Sequence, residues 1–165
     1  MNNVVHVTFG PSALSLFEKA CEIDDYDPKE GIHLYRRAIR LDPTLWSAMT
    51  NLGRVYFRLG EIGAAMNWWE RAVRTNPQAA DAHYNLGYLR LLKEDYRAAV
   101  ARFEMAIGIE PRFANAYYNL AEALAKLGRR EDARACLRTH IKLRGEWTVE
   151  ARAALGVRLI QGGAS

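Results

Sequence analysis

The sequence predicts an all-α protein built from repeated antiparallel helical hairpins, and three observations carry that prediction. Pro43, Pro77 and Pro111 follow one another at intervals of 34 residues, the length of one helix pair with its turns. A shift of the same size superimposes Asn51-Leu52-Gly53 on Asn85-Leu86-Gly87 and Asn119-Leu120-Ala121, Ala65 on Ala99 and Ala133, and Trp69 on Phe103 and Leu137. Within each period, apolar residues recur at helical spacing in two blocks. Short turns such as Leu59-Gly60-Glu61 and Leu127-Gly128-Arg129 part the blocks.

The first element in chain order is a degenerate hairpin over 12–43. Leu14, Phe17 and Cys21 give its first helix, Ala13 to Ile23, an apolar stripe. Asp27-Pro28-Lys29-Glu30 opens the second, with Asp27 as N-cap, Pro28 at the first helical position and Glu30 completing a capping box. Gly31 to Pro43 continues it, with Tyr35 and Ala38 in register. Three repeats follow at 44–77, 78–111 and 112–145. Their first helices are expected over Leu45 to Arg58, Ala79 to Leu92 and Phe113 to Lys126. Their second helices are expected over Ile62 to Arg74, Tyr96 to Gly108 and Arg130 to Lys142. Gly53, Gly87, Ala65, Ala99 and Ala133 remove side chains where helices must approach, and Leu52, Tyr56, Trp69, Leu86, Leu91 and Phe103 fill the space left. Residues 147–160 are amphipathic through Val149, Ala153, Leu155 and Leu159 and are expected to form a C-terminal capping helix. The ends, 1–11 and 161–165, are expected to be a poorly ordered or strand-like segment and a flexible tail.

Half of the 165 residues are hydrophobic and a quarter are charged, which suits one globular domain. The apolar runs fall far short of the roughly 20 residues of a membrane-spanning helix. Val4 to Phe9 is too short for a signal-peptide core and no basic residue precedes it, so a cytoplasmic location is expected. Cys21 and Cys136 have no neighbouring ligand pattern and are expected to be small buried residues. No cofactor or metal is implied. No phosphate-binding loop, nucleophile elbow or zinc motif is present, which argues against an enzyme. The acidic pairs Asp24-Asp25 and Glu131-Asp132 fall at helix ends or turns, where they suit the positive end of the next helix dipole.

Charge is uneven. Residues 1–82 carry 9 basic and 10 acidic side chains, a net of −1, and residues 83–165 carry 14 and 9, a net of +5. Arg130, Arg134, Arg138 and Lys142 recur every four residues and share one helix stripe. That stripe is either a solvated outer face or a contact for an anionic partner. Neither a recognition helix nor an interleaved row of aromatics points to nucleic acid.

With these positions in place, the sequence resembles the tetratricopeptide repeat, whose pattern is W-x2-L-G-x2-Y, then A-x3-F, then P. Residues 46–79 match through Leu52, Gly53, Tyr56, Ala65, Trp69, Ala72 and Pro77, with Met49 at the tryptophan position. The next repeat has His83 and Arg90 at the tryptophan and tyrosine positions. The last has His140 and Gly145 where a small residue and proline belong. The resemblance covers residues 13–160. It implies a right-handed solenoid whose first helices line a concave groove, and a protein-binding adaptor or scaffold. A narrower resemblance joins the degenerate first hairpin and Trp147 to the repeat region attached to some bacterial regulators of the MerR type. The chain would then be a detached sensor or interaction half. A self-assembling homo-oligomer is a third reading, through the imperfect first hairpin and Val4 to Phe9.

At about 100° per residue, Met49, Leu52, Gly53 and Tyr56 share one side of a first helix, and Ser47, Thr50, Asn51, Arg54, Phe57 and Arg58 share the other. The resemblance makes that second side the groove. It marks Asn51, Arg54, Phe57, Arg58, Asp81, Tyr84, Asn85, Tyr88, Asn115, Tyr118, Asn119 and Glu122 as candidate ligand contacts. Asn51, Asn85 and Asn119 recur in register, and a primary amide can pair with both the N–H and the C=O of an extended peptide. They could equally bond across helices. Phe57, Tyr84, Tyr88 and Tyr118 add the aromatic surface common at protein interfaces. Arg54, Arg58, Asp81 and Glu122 are mixed in sign, so this groove does not favour a strongly anionic tail. Thr50 and Arg54 also depart from the Lys and Asn that grip chaperone C-termini in some family members.

Overall fold

A computed structural model describes residues 10–144 of the chain. Eight helices run through them: α1 (Ala13–Ile23), α2 (Pro28–Leu41), α3 (Trp46–Arg58), α4 (Ile62–Thr75), α5 (Ala80–Leu92), α6 (Tyr96–Ile109), α7 (Ala114–Lys126) and α8 (Arg130–Arg144). No strand occurs among the described residues. The expected all-α hairpin architecture is therefore the observed one, with helix ends displaced by a few residues at most. The expectations for 1–9, for the capping helix at 147–160 and for the tail at 161–165 lie outside the described residues. None of the described helices is long and apolar enough to cross a membrane.

Local chemistry sets the helix starts. The Ser12 hydroxyl accepts the Ser15 amide at 3.0 Å, the Asp27 carboxylate accepts the Glu30 amide at 3.0 Å, and Asp95 accepts that of Ala98 at 3.3 Å. Pro28 occupies the first turn of α2, where its missing N–H has no helical partner to lose. The turns from α3 to α4, α5 to α6 and α7 to α8 share one closure. Glu61 donates to the Tyr56 carbonyl, Asp95 to Arg90 and Arg129 to Leu124, each at 2.9 Å. That closure needs a left-handed residue, supplied by Gly60 (φ 78°), Glu94 (φ 59°) and Gly128 (φ 79°). A Cβ is disfavoured there, and Glu94 is exposed. Glu94→Gly is therefore expected to stabilise the fold by about 0.5–1 kcal/mol, read as a higher denaturation midpoint at unchanged slope.

The chain divides into two compact units, Met1–Ala82 and His83–Ser165. In the first, α2 lies against α1 and α3, and α4 closes on α3. Tyr35, Met49, Leu52 and Val55 are wholly buried there. Small residues set the approach distances. A Cβ on Gly53 would stand 2.5 Å from the Trp69 indole nitrogen, and one on Gly31 2.8 Å from the Asp24 Cβ. In the second unit, α7 lies against α6 and α8, and Phe103, Leu120, Leu124 and Leu137 form the core. Gly87 lets α5 reach the Phe103 ring, which a Cβ would approach to 2.8 Å.

Candidate functional site

In the first unit, the groove-side polar residues of α3 hold α1. Asp24, the C-cap of α1, is 1% exposed. The Tyr35 hydroxyl donates to its carboxylate at 2.6 Å, Arg58 at 2.9 Å and Arg54 at 3.2 Å. Arg58 also donates to the Asp24 carbonyl at 2.7 Å and pairs with Asp25. The Asn51 amide donates to Cys21 Sγ at 3.3 Å, and the Phe57 ring tilts over Trp69 with 5.8 Å between centroids. Burial alone would raise the Asp24 carboxyl. The bonds from Tyr35 and Arg58 and the charges of Arg54 and Arg58 outweigh it and hold the group below its ordinary 3.8. The Tyr35 phenol is pushed up, first by burial and then by Asp24.

Two sequence expectations are corrected here. Asp24 does stand at a helix end, as the C-cap of α1, but its carboxylate is engaged by Tyr35, Arg54 and Arg58 instead of facing the next helix dipole, and it is the buried centre that joins α1, α2 and α3. The signal was in the repeat, because Arg58 stands one 34-residue period after Asp24. Cys21 is exposed and Cys136 is half-buried. The buried residues of α1 are Leu16 and Ala20, and Cys21 lies one residue further, about 100° round the helix.

In the second unit, α5 and α7 are bonded side by side. Asn119, 7% exposed, donates its amide to the Tyr84 hydroxyl at 2.9 Å. The Tyr84 ring lies 5.8 Å from that of Phe103 and 4.8 Å from that of Phe113, and burial raises its phenol despite the bond from Asn119. Asn85 and Tyr88 are half-buried. Asn115, Tyr118 and Glu122 are exposed, with the Tyr118 ring 5.4 Å from the buried His140. His140 Nδ1 is 2.8 Å from the Ala114 carbonyl, which ties α8 to the start of α7. Asp81 is exposed at the start of α5, in the first unit. The three asparagines of the expected ladder thus occupy three environments. Asn51 is bonded to α1, Asn85 is half-buried, and Asn119 is enclosed. Within the second unit, α7 and α8 frame a cleft of about 410 Å³. No group of three or more His, Cys, Asp or Glu side chains among the described residues could hold a metal ion.

Family models described as tetratricopeptide repeat match residues 34–66 and 90–156, and one described as TPR repeat matches 53–93. The chain belongs to the tetratricopeptide-repeat family, and like its repeats it is a protein-binding scaffold. Among solved structures, a crystal structure of MamA is 26% identical over 81% of this chain and 78% of its own, with a TM-score of 0.70. A second MamA crystal structure is 26% identical over 90% and 79%, with a TM-score of 0.67. MamA 41-end from Desulfovibrio magneticus RS-1, 20% identical over 89% and 83% with a TM-score of 0.74, speaks to the fold alone. A search of curated proteins gave no match.

Proposed function

We propose that the scaffold binds an extended segment of a partner protein on the first-helix face of its second unit, through Asn85, Asn115, Tyr118 and Glu122. The observation that carries this reading is the contrast between the units. The polar ends of Asn51, Arg54 and Arg58 are engaged by α1, whereas Asn115, Tyr118 and Glu122 are exposed on α7. The bond between Asn119 and Tyr84 sets α5 beside α7, so Asn85 and Asn115 can offer amides to one peptide backbone while Tyr118 covers a side chain.

The test is a partner captured on the immobilised full chain, titrated against wild type and Asn85→Ala/Asn115→Ala/Tyr118→Ala. Each lost hydrogen bond is worth about 0.5–1.5 kcal/mol and an interface tyrosine about 2 kcal/mol. A weakening of roughly 10- to 1,000-fold is expected, with little change in melting temperature because these residues are exposed or half-buried. Asn51→Ala should leave affinity unchanged. Equal affinity of the folded triple variant would place the partner on another surface.

A further inference from the structure

The cleft between α7 and α8 departs from the repeat in its charge. Counting in steps of 34, Arg134 of α8 stands in the register of Ile32, Met66 and Val100, and Arg130 in that of Pro28, Ile62 and Tyr96. Three of those earlier positions join an apolar core. Val100 is 7% exposed in one core with Leu120 and Leu124 of α7, and Ile32 and Tyr96 pack against the cores of their own units. The floor of the cleft keeps the family pattern. Ala133 and Leu137 are 5% and 6% exposed in the registers of Ala99 and Phe103, and Ala121 and Tyr118 line the α7 side. An apolar floor has therefore kept its small and large residues while two rim positions have become guanidiniums. Arg134 is bound at 2.6 Å to Glu131, an exposed pair that an incoming carboxylate can replace at little cost.

We infer that this cleft receives an acidic segment of a partner protein, one that places an aliphatic or aromatic side chain on the Ala121–Leu137 floor and carboxylates on Arg130 and Arg134. The inference rests on the reading that the second unit is the binding surface, and it names the chemistry of the partner. The net charge of +5 over residues 83–165 favours the same partner at long range. The chain's own continuation fits less well. Residues 145–165 carry two acidic and two basic side chains, Glu146, Glu150, Arg152 and Arg158, and so bring no net negative charge to the two arginines. Nucleic acid fits less well too, since Tyr118 is the cleft's one aromatic residue among the described residues, too few to stack successive bases.

The experiment is selection of displayed random peptides, roughly a dozen residues long, on the full chain at low salt. Peptides combining Asp or Glu with Leu, Ile or Phe are expected. They should bind Arg130→Gln/Arg134→Gln, changed only at exposed positions, about tenfold more weakly, with an unchanged melting curve. Neutral peptides that depend on Asn85 and Asn115 but not on the arginines would overturn this inference and leave the proposed face standing. Acidic peptides that depend on the arginines but not on Asn85 and Asn115 would support it and move the backbone contact off that face. Selection of no peptide at all would overturn both. Three further results would each overturn an acidic partner as the occupant. One is binding of a single-stranded oligonucleotide that the double variant loses. Another is faster hydrogen exchange in 145–165 of that variant, which would make the chain's own end the occupant. The third is a fall in its solution mass, which would make it a second copy.

Discussion

Trp69→Ala is expected to lower the unfolding free energy by about 3–5 kcal/mol, the usual cost of truncating a buried large aromatic. The indole is 2% exposed, donates its N–H to the Thr50 carbonyl at 3.0 Å, and fills the space that Gly53 leaves on α3. Alanine cannot fill that volume, and Gly53 supplies no side chain to collapse into it. Trp69→Phe should cost less, because it keeps most of the packing and loses the hydrogen bond. Chemical unfolding of the two variants separates the contributions. A wild-type midpoint for Trp69→Ala would mean that α4 does not rest on α3 in this register.

Asp24→Ala is expected to destabilise by about 2–4 kcal/mol. It takes from the buried Tyr35 hydroxyl its carboxylate acceptor, worth about 1–3 kcal/mol, leaving it only the weak acceptor Cys21 Sγ at 3.4 Å, and removes the bonds from Arg54 and Arg58. The arginine side chains are 48% and 35% exposed, so water compensates them in part and their share is small. The same network sets a pH window. A carboxyl held below its ordinary 3.8 adds stability that is fully present above about pH 4 and is lost as pH falls through its lower folded value. A phenol raised above its ordinary 10.0 adds stability below that pH, lost as pH rises through its folded value. Urea midpoints across pH should therefore fall at both ends. Asp24→Asn should flatten the acid limb and Tyr35→Phe the alkaline one. An acid limb unchanged in Asp24→Asn would remove Asp24 as its source.

Helices, turns and hairpin pairing were legible in the sequence because each depends on residues close together in the chain. A 34-residue period, helical spacing of apolar residues, Asp27 before Pro28, and Gly60 and Gly128 at the left-handed turns specify them without knowledge of any distant contact. Glycine at 53 and 87 likewise announced close approach before Trp69 and Phe103 were seen against them. The tertiary structure alone decided which polar side chains remain available. Asn51, Asn85 and Asn119 are the same residue in the same register, yet one meets Cys21, one is half-buried and one is enclosed against Tyr84. Arg54 and Arg58 read as groove cations until Asp24, 30 and 34 residues earlier, is found between them. Periodicity fixes which face of a helix a residue occupies. Whether that face meets water or another side chain depends on atoms brought within about 3 Å from distant parts of the chain, which no local pattern encodes.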